Sequence, residues 1–373
     1  MDRVLYNNQL IDFTKEPIFF GAGKNSQRYD VVKHQIFDTL FEKMAGQDWV
    51  HDEIACTKDH TDFQVLTASM KHAYTATLNK LIFLDSIQGR GILQTVGSVI
   101  TNPEFESCVT EWQRFEISRH SRSYTHILRS VYDNPSEIFD QSFDIQVLTD
   151  LADTISTVYE DAFQAVTKWH VGQETLENTK EAILKMFVEI NILEGLRFYS
   201  GFATVWSMHY SQGLMERTTK ILQLICRDEN LHLGITQHLL DILINDPNEG
   251  FTEVAAGLRD YIVTRYEEAY AEECRWVDYI FQEGSFLGMS PDLAKMYLRY
   301  LTNIRLQALN LEPMFNDTKN PLPWINSYIS SDSNFVPLQE SEVINYKMDI
   351  LDSSISDETM ARLSESLRQS TKR

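Results

Sequence analysis

Residues 221–232 read ILQLICRDENLH and residues 116–124 read EISRHSRSY, and the way these stretches set acid and histidine into helical patterns decides the fold. Each helical residue advances by about 100 degrees, so Ile221, Leu222, Ile225, Glu229 and His232 crowd into one sector. An apolar stripe therefore carries a carboxylate and an imidazole three residues apart, close enough to share one bound ion. The same construction around Glu194 gathers Phe187, Ile190, Phe198, Gly201, Phe202 and Val205 on its side, with Lys185 opposite. Around Asp85 it gathers Leu78, Leu81 and Ile82. Each acid is an inward-facing exception that needs compensation.

In chain order the pattern is a single acid, Asp85; a pair, Glu116 with His120; a second single acid, Glu194; and a second pair, Glu229 with His232. A four-helix bundle can point one carboxylate from each of two helices, and an acid with a histidine from each of the other two, into a di-metal cavity. Any one of these residues alone reads as a solvated acid or a locally bonded histidine. Four buried carboxylates without cations would repel one another and pay for desolvation, whereas two trivalent ions and one oxide balance them. Carboxylate and imidazole donors suit iron or manganese better than a thiolate-rich zinc or iron–sulphur site. Tyr124 lies one turn beyond His120 on the same side, a candidate redox tyrosine whose alternative is ordinary burial. Phe198, Phe202 and Ile225 would form an apolar wall around it.

Bulk properties fit a packed body. The 373 residues are 43% hydrophobic and 23% charged, which argues against extensive disorder. A formal charge of −21 disfavours nucleic acid or an anionic membrane as principal partner. No basic-then-apolar leader and no apolar run of roughly 18 residues is present, so a cytoplasmic protein is expected. Cys56, Cys108, Cys226 and Cys274 are too scattered for a disulfide framework or a paired-cysteine metal site. Long helices are expected near 31–45, 66–89, 102–130, 147–170, 176–209, 213–240, 250–283 and 291–309, with few strands. The organisation that follows is an N-terminal leader over 1–30, a di-metal body over 31–325 and a polar tail over 326–373, entered through Pro313, Pro321 and Pro323. The tail holds enough apolar residues to dock on a partner and too few for a core of its own.

At these residues the sequence resembles the radical-generating small subunit of class I ribonucleotide reductase. The likeness runs from about 14 to 350 and includes EPIFFG, LDSIQGR, HSRSYTH, LEGLRFY, CRDENLH and NPLPWI in family order. It implies an all-α, ferritin-like helical bundle with additional helices. It also implies a homodimer and a separate large catalytic subunit that reduces ribonucleotides to deoxyribonucleotides. The metal ligands would be Asp85, Glu116, His120, Glu194, Glu229 and His232, holding two iron ions or, alternatively, a dimanganese or mixed manganese–iron pair. Tyr124 would carry the stable radical. Trp49, Asp228, the tail acid Glu340 and the tail tyrosine Tyr346 would pass oxidising equivalents to the large subunit. Competing readings are another ferritin-like di-metal oxidase or hydroxylase, recognisable by substrate oxidation without a large subunit, and a metal-storage helical protein.

Two features depart from the family pattern. The first pair usually stands three apart, but here it reads Glu116-Ile117-Ser118-Arg119-His120. Matching forward from LDSIQGR reaches Glu116, while matching backward from HSRSYTH reaches Ile117, so one residue has been added between them. A widened turn, such as a π-bulge, would absorb it and keep Glu116 as a ligand. The chain also ends LRQSTKR rather than in an acidic or aromatic finish, which points to specialised docking.

Overall fold

The computed structural model describes residues 5–317 and 319–329, and among them every regular element is helical. Short helices α1 (Gln35–Gly46) and α2 (Thr57–Val65) precede the long α3 (Ala68–Val96). Then come α4 (Pro103–Phe115), α5 (Ser121–Val131), α6 (Pro135–Gln141) and α7 (Gln146–His170). The second half holds α8 (Leu176–Ile192), α9 (Phe198–Gln212), α10 (Glu216–Asn245), α11 (Thr252–Gly257), α12 (Arg259–Ile280), α13 (Pro291–Ala308) and the short α14 (Asn326–Ile329). The expected long helices are present. Among the boundaries that differ, α1 starts at Gln35, α3 continues past Gly89 to Val96, α10 runs on to Asn245, and the segment expected over 250–283 breaks at Leu258 between α11 and α12.

Local chemistry sets the ends. Thr67, Asn102, Thr175 and Ser290 each accept an amide from the first turn of the helix they open, and Pro103 and Pro291 occupy first-turn positions where no amide hydrogen is needed. Gly213 closes α9 at φ +69°, a left-handed conformation that suits glycine. The start of α10 is capped from outside. Asp62 accepts from the Met215 amide at 3.1 Å, and Asp59 accepts from Arg217 at 3.1 Å and Thr218 at 2.6 Å. α2 therefore fixes the entry of the helix that carries Glu229 and His232.

Four helical rods enclose the core: α3, α4 running into α5, α8 running into α9, and α10. α9 lies so close to α3 that a Cβ on Gly201 would stand 3.1 Å from Leu81. Before α1, the chain packs as an irregular segment: Ile18 and Phe19 are buried, and the Thr101 amide donates to the Ile18 carbonyl at 2.8 Å.

The candidate metal centre

Two of the four acid-bearing rods are widened at their acid. Glu116–His120 is a π-helical turn, with the Ser121 amide donating to the Glu116 carbonyl five residues back. The extra residue is thus absorbed locally: Ile117 turns outward, half exposed, while Glu116 and His120 are completely buried. Gly89 of α3 makes room for the bulge, since a Cβ there would lie 3.1 Å from Glu116 Cβ and 3.0 Å from Ile117. A second π-turn, Leu193–Arg197, joins α8 to α9 and presents Glu194, with Phe198 bonded back to Leu193. No mismatch of motif spacing announces this one.

The structure brings the six expected residues together in two overlapping groups. Asp85, Glu116, His120 and Glu229 form one, and Glu116, Glu194, Glu229 and His232 the other, with the donor atoms of each group within 4.8 Å of one another. Glu116 and Glu229 belong to both, the placement needed to bridge two ions. His120 Nδ1 lies 3.1 Å from Glu116 and 3.2 Å from Glu229; His232 Nδ1 lies 2.7 Å from Glu229 and 3.1 Å from Glu116.

Electrostatics supports cation binding. Burial, reinforced by Glu116, drives the Asp85 carboxyl well above its ordinary range; burial and Glu229 do the same to Glu194. Burial would also raise Glu229, but the imidazoles of His120 and His232 outweigh it and hold this carboxyl low. Both Asp85 oxygens, Glu194 Oε2 and Glu229 Oε1 are buried with no hydrogen-bond partner among the described residues. Unsatisfied buried oxygens are costly in a folded core, and bound cations would satisfy them. The residues present therefore fit a pair of hard or intermediate metal ions.

Surrounding groups hold these side chains in place. Trp112 donates to Glu116 Oε1 at 2.9 Å and stacks on His232 with ring centres 5.1 Å apart. Gln88 donates to Glu194 Oε1 and accepts from the Tyr159 hydroxyl. Sequence reasoning missed Trp112, Gln88 and Tyr159. The one-turn spacing from Trp112 to Glu116 and from Asp85 to Gln88 was the available signal. His120 Nε2 faces Asp228 at 3.3 Å, and Asp228 accepts from Trp49 Nε1 at 2.6 Å. These three residues, from α5's entry, α10 and the α1–α2 loop, form one connected chain. Tyr124 is buried, and burial together with Asp85 raises its phenol well above the ordinary range. Phe198, Phe202 and Ile225 are fully buried as well. Glu340 and Tyr346 lie outside the described residues.

Comparison with known proteins agrees with this geometry. The family model for "Ribonucleotide reductase, small chain" matches residues 28–321. The chain is 36% identical over 365 residues to the ribonucleoside-diphosphate reductase subunit beta of Buchnera aphidicola, covering 94% of this chain and 96% of that one. It is 35% identical over 365 residues to the ribonucleoside-diphosphate reductase 1 subunit beta of Escherichia coli O157:H7, with the same coverage of 94% and 96%. The ribonucleotide reductase R2 subunit from Clostridium botulinum superposes with a TM-score of 0.74 at 27% identity, covering 84% of this chain and 94% of that one. These likenesses do not favour a storage protein or an unrelated oxidase: the chain belongs to the ribonucleotide reductase small-chain family.

Proposed function

We propose that this subunit forms a tyrosyl radical at Tyr124 beside a dinuclear metal centre held by Asp85, Glu116, His120, Glu194, Glu229 and His232. The observation that carries the reading is the double cluster itself, two four-donor groups sharing Glu116 and Glu229, with Tyr124 one turn beyond His120. When bound, two iron ions, or a dimanganese or mixed manganese–iron pair, supply the oxidising power that takes one electron from Tyr124. The chain's own residues do the rest. Burial keeps the phenol protonated until it is oxidised, and Phe198, Phe202 and Ile225 keep water from the site. Asp228 fixes the orientation of His120 through Nε2 and links it to the Trp49 indole. Trp49 is the exit for oxidising equivalents toward the large subunit, with Glu340 and Tyr346 completing the route in the tail. The working unit is a homodimer in the cytoplasm, paired with the large subunit that reduces the ribonucleotide. No described helix is long and apolar enough to cross a membrane.

Reconstitution with iron(II) and oxygen, or with manganese(II) and an activating oxidant, tests the reading. A tyrosyl signal that Tyr124→Phe removes or replaces supports it; a fully metallated, activated protein with no tyrosyl signal contradicts it. Trp49→Phe should leave that signal intact and abolish deoxyribonucleotide formation when the large subunit is added.

A further inference from the structure

Six charged side chains meet beside the Leu193–Arg197 turn, and all but Glu272 are almost completely buried. Arg197 donates to Glu189 at 3.0 Å and to Glu272 at 2.6 Å. Arg265 donates to Glu189 at 2.7 Å and to Glu272 at 3.1 Å. Lys80 donates to Glu273 at 2.5 Å and to the Arg197 carbonyl at 3.3 Å. Three cations thus face three carboxylates, so the network adds no net charge near the acid-rich centre and its effect is geometric. Buried ion pairs are weak sources of stability, since well-packed apolar side chains of similar volume serve as well; what they supply is conformational specificity.

The rod formed by α8 and α9 must take up one extra residue somewhere. Upstream, Asn191 is anchored: it donates to Thr236 of α10 at 2.9 Å and accepts from Tyr266 of α12 at 2.6 Å. Downstream, Gly201 seats α9 against Leu81. With both anchors in place the residue is absorbed between them, and no proline in LEGLRFY localises it. The Glu189–Arg197 pair does. Residues eight apart in a regular helix differ by about 80° in direction and about 12 Å in height; with one residue taken up between them they differ by about 20° and about 10.5 Å. That is the two-turn spacing at which long side chains share a face, and the 3.0 Å contact stabilises a widening placed before Arg197. Were the widening to migrate past Arg197, Glu194 would keep the phase of α8 and turn by up to about 100°. A metal ligand has no such latitude, because its distances tolerate only about 0.2 Å.

We propose that Arg197, paired with Glu189 across the turn and braced by Glu272 and Arg265 of α12, pins the widening at Leu193–Arg197 and so aims Glu194 at the second ion. Arg197 acts through the backbone that carries Glu194, which makes it a positioning residue. The inference rests on the dinuclear reading above. Its consequence is asymmetric. The position held by Asp85 and His120 draws on α3, the Glu116–His120 turn and α10, and is independent of the pair. The position held by Glu194 and His232 depends on it. The Lys80–Glu273 contact belongs to the same network but does not span the turn, so metal binding does not require it.

The test compares two apolar replacements in the full-length chain. Glu189→Leu with Arg197→Met removes one carboxylate and one cation across the turn; Glu273→Leu with Lys80→Met removes one of each beside it. Titration with manganese(II) and anomalous scattering from loaded crystals read the two metal positions separately. The cross-turn variant should bind its second ion about 10–100-fold more weakly, with the Asp85–His120 position unchanged. Crystals of the same variant without metal should show the Phe198 amide released from the Leu193 carbonyl. The Lys80–Glu273 variant should keep the widened turn and both ions at parental affinity. Two ions at parental affinity in the cross-turn variant overturn the inference, and so does an equal loss of the second ion in both variants. If the cross-turn variant does not fold, Glu189→Gln decides: it keeps the shape without the charge and should weaken the second ion alone, by a smaller factor. Parental affinity at both positions would then overturn the inference. If the parent itself binds no manganese(II), the dinuclear reading fails, and the metal-free crystals decide the pinning: a Phe198–Leu193 bond retained in the cross-turn variant overturns it.

Discussion

Gly89→Ala puts the π-turn under direct test. The added methyl would lie 3.1 Å from Glu116 Cβ and 3.0 Å from Ile117 Cγ1, against about 3.4 Å for ordinary contact. Glu116 must then retreat by about 0.3 Å, whereas metal–ligand distances tolerate only about 0.2 Å. Ile117 is half exposed and its tip can swing into solvent; Glu116 is fully buried, and its Cβ moves only with the backbone. Overpacking of this kind costs about 1–3 kcal/mol of stability. Because the strain falls on a residue common to both donor groups, metal content should suffer more than the fold does. Elemental analysis after loading, the Tyr124 radical yield, and melts of the metal-free chain measure the two effects separately. Ile117→Ala in the same background should relieve the outer contact without restoring metal. Full occupancy of both metal positions in Gly89→Ala, with unchanged radical yield, would refute the argument that the close approach of α3 sets Glu116.

Deleting Ile117 should convert the bulge into a regular turn, keep Trp112 and Tyr124 in register and retain two metals per chain; loss of metal would show that the extra residue is required for ligation. Chelation should lower the melting temperature, and adding manganese(II) at about 100 times its dissociation constant should return about 2.7 kcal/mol, as read from denaturant titrations. A flat response would argue against a site formed in the native state. Lys80 is buried against Glu273 at 2.5 Å, so Lys80→Met should destabilise by about 3–5 kcal/mol, and adding Glu273→Leu should recover much of it. Burial, opposed by Glu273, lowers the Lys80 ammonium to about 8 from 10.5. Between those values the unfolded chain binds the extra proton, so this contribution to stability rises with pH across about 8 to 10.5. The difference between parent and Lys80→Met melts should carry that slope.

Much of the centre was legible before any coordinates, because a carboxylate on an apolar helical stripe has few bland explanations. Helical phase alone set Asp85, Glu194, Glu229 and His232 inward, and two motif registers that disagreed by one residue located the bulge at Glu116–His120. The bulge at Leu193–Arg197 left no such trace, since nothing in LEGLRFY conflicts with a regular helix. The buried charges around it come from distant parts of the chain. Arg197 meets Glu189 at 3.0 Å and Glu272 at 2.6 Å, and Arg265 meets Glu189 at 2.7 Å. Pairings of α12 with α8 and the π-turn have no sequence spacing to read. The same holds for Tyr328 on His209, brought together only when the segment after Pro321 folds back over α9.

The central claim is that Glu116, across its widened turn, and Glu229 bridge two ions. Anomalous scattering from crystals of the manganese(II)-loaded protein measures this directly. The account predicts two peaks per chain, one ligated by Asp85 and His120, the other by Glu194 and His232, with Glu116 and Glu229 oxygens reaching both. A single peak, or two peaks with the Glu116 carboxylate turned away, would contradict it.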